Sequence, residues 1–185
     1  VTIEEGVTTI EENAFTNCFN LETVNIAEGV TSIGNKAFAN CADLKTVNIP
    51  QSLTEIADYA FYQCSSLTDA PLHEDITRIG KYAFSGTGIT ELVIPESAIL
   101  DEGSFSGCSK LANLNLNQLT EIPRYAFSSC GILKNLTLPD SVTTIGPGAF
   151  QSSGIVYLDT NNVTTLGNSA FQGCTHLQDI KLNKG

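Results

Sequence analysis

The sequence of 185 residues contains no Met and no Trp, and its nine Lys and Arg stand against 20 Asp and Glu. The formal net charge is −11, and the cations are scattered rather than clustered in a stripe. Recognition of a nucleic-acid backbone or of an anionic membrane surface needs clustered cations, so this charge pattern argues against both partners. A run of about 18 apolar residues is also missing, which predicts that no part of the segment inserts into a membrane.

A repeat dominates the sequence. An Ala-Phe pair, or its Ser-Phe variant, returns at intervals of 21 to 23 residues along the chain. The repeated phenylalanines are Phe15, Phe38, Phe61, Phe84, Phe105, Phe127, Phe150 and Phe171. One repeat reads Val30-x-x-Ile33-Gly34-x-x-Ala37-Phe38-x-x-Cys41-x-x-Leu44-x-x-Val47-x-Ile49-Pro50. A fixed period of this length is typical of a solenoid, in which each turn buries its apolar face against its neighbours.

The pattern within one repeat predicts its local structure. The alternation in Leu44-x-x-Val47-x-Ile49 predicts one β-strand per turn. Nine such strands, counting the stub at Val1, should stack about 4.8 Å apart into a parallel sheet roughly 40 Å long. The Val-Thr-x-Ile-Gly segment predicts a short extended stretch, and x-x-Ala-Phe-x-x-Cys predicts one or two helical turns. The predicted fold class is an α/β repeat: a right-handed solenoid with a parallel β-sheet on one face, short helical turns on the other, and the Phe side chains in one interior column.

The repeat also predicts the domain organisation. It continues without a linker, so residues 1–185 are interpreted as a single domain of about eight repeats. Residues 1–3 and 180–182 both correspond to the strand segment, so we expect the chain to be cut in mid-repeat at both ends and to be a piece of a longer protein. The fifth repeat, from Glu96 to Phe105, has lost two residues and the Val-Thr-x-Ile-Gly pattern, and we expect the poorest stacking there.

The consensus Leu-x-x-Val-x-Ile-Pro-x-x-Val-Thr-x-Ile-Gly-x-x-Ala-Phe-x-x-Cys resembles the BspA-type leucine-rich repeat, and is close to the repeats of some treponemal surface proteins. The resemblance covers essentially the whole chain. It implies a leucine-rich-repeat solenoid in a secreted or surface-anchored protein of anaerobic oral and gut bacteria or of mucosal protozoan parasites. It also implies adhesion to host matrix proteins and cells, and it supplies no catalytic residues.

All six cysteines occupy one position of the repeat, three residues after the Phe. They are Cys18, Cys41, Cys64, Cys108, Cys130 and Cys174. An even count in a secreted chain would fit three disulfides. Thr87 and Ser153 fill the two remaining equivalent positions, however, so small residues that pack well are interchangeable here. We therefore predict a buried ladder of free thiols, with the disulfide framework as the alternative.

The sequence predicts no metal site, no cofactor and no enzymatic activity. It has neither a C-x₂-C pair nor a His cluster of the kind that binds zinc. His73 and His176 have no Ser, Cys or Asp spaced to form a triad, and we expect both at the surface. The segment 159–162 lacks the downstream Gly and Glu of a calcium loop.

The exposed positions of the predicted strands form the candidate binding surface, because repeat proteins commonly bind on their extended sheet face. One column reads Thr23, Thr46, Asp69, Glu91, Asn113, Asn135, Tyr157 and Asp179, and the other reads Asn25, Asn48, Pro71, Val93, Asn115, Thr137, Asp159 and Lys181. The protein-binding candidates are Asp69, Glu91, Val93, Asn113, Asn115, Asn135, Thr137, Tyr157 and Asp159. Tyr157, Val93 and Pro71 come nearest to an apolar anchor, and the acidic members favour a partner with a basic patch.

The predicted function is a non-catalytic protein-binding module, with a host or matrix protein as the partner that the resemblance implies. Two alternatives remain open. A passive spacer could hold another domain away from the cell. A glycan-binding module should show stacked aromatic rings on one face, and Tyr157 is the only aromatic residue in the two columns.

Overall fold

The computed structural model describes residues 1–69 and 72–181. Within these ranges the chain forms sixteen short strands joined by turns. In chain order they are β1 Thr2–Ile3, β2 Thr9–Ile10, β3 Thr23–Ile26, β4 Ser32–Ile33, β5 Thr46–Val47, β6 Glu55–Ile56, β7 Arg78–Ile79, β8 Glu91–Val93, β9 Ile99–Leu100, β10 Asn113–Asn115, β11 Glu121–Ile122, β12 Asn135–Thr137, β13 Thr144–Ile145, β14 Tyr157–Asp159, β15 Thr165–Leu166 and β16 Asp179–Lys181.

The strands form two stacks, and every pairing is parallel. We call the strands predicted from the repeat sheet A; they form the hydrogen-bonded ladders β1-β3-β5, β8-β10 and β12-β14-β16. We call the other stack sheet B, where only an extended stretch was predicted; it forms the ladders β2-β4, β6-β7-β9 and β11-β13-β15. The parallel-strand solenoid is therefore confirmed, and it has a second sheet. The predicted strand positions Ala70, Pro71 and Leu182 lie outside the described residues.

The predicted helical turns are wrong, because the described residues contain no helix. In each turn the residues two before and two after the repeat Phe have a left-handed backbone, as Lys36 (φ 55°) and Asn40 (φ 60°) do around Phe38. Backbone N–H groups alternate in direction here. Phe38 donates to the Ala60 carbonyl of the next turn at 2.9 Å, whereas Ala39 donates to the Lys36 carbonyl in its own turn at 3.0 Å. In an α-helix every interior N–H bonds to a carbonyl of the same segment. Here alternate N–H groups bond to the next turn instead, so no helix forms.

The interior contains one stack of phenylalanine rings. Neighbouring rings among the eight repeat phenylalanines have centroids 5.2 to 6.0 Å apart and planes within 18° of parallel. The six inner rings are fully buried, whereas Phe15 and Phe171 in the first and last turns are half-buried. We number the turns by these rings, so that the fifth turn contains β9, Phe105 and β10, and the sixth contains β11, Phe127 and β12.

Both sheets are interrupted between the fifth and sixth turns. No pairing joins β10 to β12 or β9 to β11 within the described residues. The Phe-containing corner remains bonded, because Phe105 donates to the Ala126 carbonyl at 3.1 Å. The Phe105–Phe127 spacing of 6.0 Å is the widest in the stack. The single continuous sheet predicted from the repeat is thus wrong at this point, next to the irregular fifth repeat.

A proline accounts for part of this interruption. In sheet B the residue after the strand normally donates to the preceding turn, as Gly146 N–H does to the Ile122 carbonyl at 2.7 Å. The sixth turn has Pro123 at that position, and proline has no N–H to donate. β4 and β6 also lack ladder pairing, but they stay as close as paired strands. β9 and β11 do not, and a cleft of about 410 Å³ separates them.

Candidate functional site

Sheet A carries the predicted binding residues in two rows that follow the strand register. Across β8 and β10, Glu91 lies opposite Asn113 and Val93 opposite Asn115. Across β12, β14 and β16, the partners are Asn135, Tyr157 and Asp179 in one row and Thr137, Asp159 and Lys181 in the other. These side chains point outward because strand side chains alternate, and the residues between them, such as Leu92 and Leu158, are buried.

Most of the predicted residues are exposed. Val93 is 57% exposed and Tyr157 is 51% exposed, which makes them the large apolar side chains available on this face. Asp69 is exposed beside the undescribed residues 70 and 71. Asp159 is only partly exposed, since Lys181 Nζ lies 2.9 Å from its carboxylate. The hydrogen bond from Lys181 lowers the pKa of Asp159, so this carboxylate is less free to meet a partner.

Hydrogen bonds to side chains of the neighbouring turn hold some of these residues in place. Asn113 Nδ2 donates to Glu91 Oε1 at 2.9 Å, and Tyr157 OH donates to Gln178 Oε1 at 2.7 Å. Side chains that are already ordered lose less conformational entropy on binding. The rows are not continuous, because the gap between β10 and β12 separates Asn113 from Asn135. Half-buried Leu114 and exposed Ile132 border this gap.

The six cysteines lie in one column beside the Phe stack, at the same position of their turns, and all are free thiols. Each of five donates from Sγ to the carbonyl of a Phe in the preceding turn, as Cys64 does to Phe38 at 3.1 Å. Thr87 and Ser153 continue the column, each contacting the next thiol. Burial raises the pKa of Cys108 to about 11 and that of Cys130 well above its ordinary value. Buried thiols with raised pKa values are poor nucleophiles.

We predict that thiol titration of the denatured, unreduced protein will find six free groups. In the native protein Cys18 should react first, because it is exposed, and the four buried thiols should react only on unfolding. Titration with a chromogenic disulfide reagent, with and without denaturant, measures both numbers. Two or fewer free groups after denaturation would restore the disulfide framework.

One of the two histidines differs from the prediction. His176 is exposed as expected, but the His73 side chain is only 10% exposed, so its predicted surface position is wrong. His73 Nε2 lies 2.9 Å from the Pro50 carbonyl of the preceding turn, which identifies it as a structural residue. In the described part of the chain, no group of three or more His, Cys, Asp or Glu could hold a metal ion. The same part has no helix long and apolar enough to cross a membrane.

Sequence reasoning missed a column of tyrosines at the Phe-containing corner. Tyr59, Tyr82 and Tyr125 each lie two residues before a repeat Phe, in the left-handed position, and this fixed spacing was the available signal. The Tyr59 ring stacks on Tyr82 at 5.4 Å and has Lys36 Nζ 5.7 Å from its centroid. Gly103 lies against the other face of Tyr82. Because neighbouring turns occupy these faces, the rings do not offer the open platform that a sugar would stack on.

Comparison with known proteins identifies the repeat. The family described as BspA type Leucine rich repeat region matches the chain in 6 copies, over residues 1–112 and 98–185. A leucine-rich repeat protein from Bacteroides ovatus is 28% identical with a TM-score of 0.63, and the match covers 94% of this chain and 58% of that one. A leucine-rich repeat protein from Eubacterium ventriosum is 25% identical with a TM-score of 0.67, covering 98% and 59%.

A third solved structure, the T. pallidum leucine-rich repeat protein, is 24% identical with a TM-score of 0.69 and coverage of 97% and 78%, and it supports the fold alone. The chain spans a little under three fifths of the length of the B. ovatus and E. ventriosum proteins. No protein with a curated description matches the chain.

Proposed function

Because the chain belongs to the BspA-type leucine-rich repeat family, we propose that it is a non-catalytic protein-binding module of a secreted or cell-surface protein. The proposed role is adhesion to host or matrix proteins, and the proposed surface is the outer face of sheet A from the third to the seventh turn. The observation that carries the proposal is the register of this face. Exposed side chains of successive turns lie at adjacent ladder positions, so one partner can contact many turns at once.

The charge of this face indicates the kind of partner. Asp69 and Glu91 are exposed in the first row, and the chain as a whole carries a net charge of −11. A partner with a basic patch would be attracted, and the association rate would fall as salt is added. Tyr157 and Val93 supply the apolar contacts that usually dominate affinity at the centre of an interface.

The test is a triple variant, Asp69→Lys with Glu91→Lys and Tyr157→Ala. We expect its affinity for a matrix-protein partner to fall by at least about tenfold, since an acidic pair and the largest exposed aromatic ring are lost together. Surface plasmon resonance against a panel of purified extracellular-matrix proteins, at two salt concentrations, measures the affinity and the association rate.

A matched control carries Glu4→Lys and Glu5→Lys, two exposed residues in the first turn, and so changes the net charge by the same amount. This control should bind like the parent chain. Equal loss in both variants would show a general charge effect, and unchanged affinity in the triple variant would place the site outside this face. Failure of the parent chain to bind any member of the panel would favour the spacer alternative.

A further inference from the structure

The cleft between β9 and β11 is a concave site, separate from the outer face of sheet A. It lies in sheet B, where the fifth and sixth turns separate, and has Glu96, Ile99, Leu119, Glu121 and Pro123 among its lining residues. Its volume of about 410 Å³ is within the range of protein ligand sites, roughly 300–1,000 Å³. The cleft is therefore large enough to accept part of a partner molecule.

On the β9 side of the cleft, two backbone carbonyl groups accept no hydrogen bond from the described residues. At the position equivalent to Leu100, the Ile56 carbonyl accepts from Gly80 N–H at 2.8 Å. The Leu100 carbonyl faces Pro123 instead, and it accepts no hydrogen bond from the described residues. The Ala98 carbonyl likewise accepts none. Unpaired backbone groups at a strand edge are a template for pairing with another strand.

The side chains around the cleft favour a positively charged ligand. Glu96 and Glu121 are both exposed, and neither forms an ion pair within the described residues. The neighbouring cations are already paired with carboxylates: Arg78 lies 2.8 Å from Asp58 and 2.5 Å from Asp101, and Arg124, next to the lining residue Pro123, lies 3.4 Å from Glu102. The cleft is thus acidic, and a second copy of this acidic chain would be repelled from it.

An apolar contact lies beside the free edge. Ile99, at the outward position of β9, is 68% exposed, which is the highest value among the large hydrophobic residues that the structure describes. Outside the terminal turns, the other exposed large hydrophobics of the described residues are Val93, Ile132 and Tyr157, and they too lie within the fourth to seventh turns. Apolar exposure in the body of the solenoid is therefore concentrated around the separation.

We propose that this cleft binds an extended, positively charged segment of a partner polypeptide, which adds a β-strand against β9. The N–H groups of the segment donate to the Ala98 and Leu100 carbonyls, as in other cases of strand addition. Its basic side chains pair with Glu96 and Glu121, and an apolar side chain packs beside Ile99. This site is on sheet B and is independent of the proposed sheet A surface.

The probe for the test is an acetylated and amidated hexapeptide of alternating Lys and Val that carries a fluorophore. Fluorescence anisotropy at low salt should show saturable binding to the chain with a dissociation constant below about 1 mM. The same peptide with every backbone amide N-methylated cannot donate hydrogen bonds and should bind at least about tenfold more weakly. A Glu and Val hexapeptide should not bind.

Protein variants locate the binding. Glu96→Gln with Glu121→Gln should weaken binding roughly tenfold, and Ile99→Ser should weaken it as well. The control Glu4→Gln with Glu5→Gln changes the net charge equally and should leave binding unchanged. The sheet A triple variant should also bind the hexapeptide normally.

The proposal would be overturned by absence of saturable binding, by equal binding of the parent and N-methylated peptides, or by equal weakening by the two Gln pairs. Loss of hexapeptide binding in the sheet A triple variant alone would overturn the cleft as the site while supporting the sheet A surface. Failure of the cleft proposal therefore leaves the proposed function standing.

Discussion

Replacement of Phe84 by Ala should lower the free energy of unfolding by about 3–5 kcal/mol. Phe84 is fully buried between Phe61 and Phe105, with ring centroids 5.2 and 5.4 Å away. The truncation removes a large apolar surface from the interior and leaves a cavity that two rigid neighbouring turns cannot close. Urea denaturation followed by circular dichroism measures the change.

Phe19→Ala is the matched control, because Phe19 is the one phenylalanine outside the repeat position and is 57% exposed. It should change the free energy of unfolding by no more than about 0.5 kcal/mol. A loss below about 1 kcal/mol for Phe84→Ala would contradict the interior position of the ring stack.

Replacement of Gly146 by Ala should cost about 1–3 kcal/mol, although Gly146 does not have a positive φ. A Cβ atom at this position would lie 2.8 Å from Arg124 N and 2.9 Å from the Ile122 carbonyl oxygen, both in the preceding turn. These are backbone atoms, and the Ile122 oxygen already accepts from Gly146 N–H at 2.7 Å, so they cannot move aside as a flexible side chain could. The glycine is required because the two turns approach closely here.

Gly131→Ala is the control for this substitution, since a Cβ atom there would meet nothing within 4 Å. It should be neutral or stabilise the protein by about 0.4–1 kcal/mol through the unfolded chain. Differential scanning calorimetry of the two variants measures the contrast. Equal destabilisation by both would show that the loss comes from replacing a glycine as such, and not from the close approach of two turns.

The strands of sheet A could be predicted because their pattern is local. Val24 and Ile26 are buried while Thr23 and Asn25 are exposed, and this alternation is visible in four consecutive residues. The corner around each Phe could not be predicted in the same way. Ala37 and Ala39 around Phe38 suit a helix, but the N–H of Phe38 is bonded to Ala60 in the next turn. Helix propensity is worth less than one kcal/mol per residue, and contacts between turns outweigh it.

The candidate site was also predictable only in part. The outward positions of Glu91, Asn113, Asn135 and Tyr157 follow directly from the strand alternation. The interruption between Asn113 and Asn135 does not, and neither does the burial of His73 against Pro50 of the preceding turn. Both depend on how one turn lies on another.

The sequence by itself determined the solenoid, its period, the apolar strand residues and phenylalanines that face inward, and the place where the repeat is irregular. Each of these follows from the spacing of apolar residues along one turn. The tertiary structure alone decided the left-handed corners, the second ladder and the cleft beside Pro123. The physical reason is that a backbone hydrogen bond in a solenoid joins residues about one full turn apart. Its presence therefore depends on the geometry of two neighbouring turns together, which no single repeat specifies.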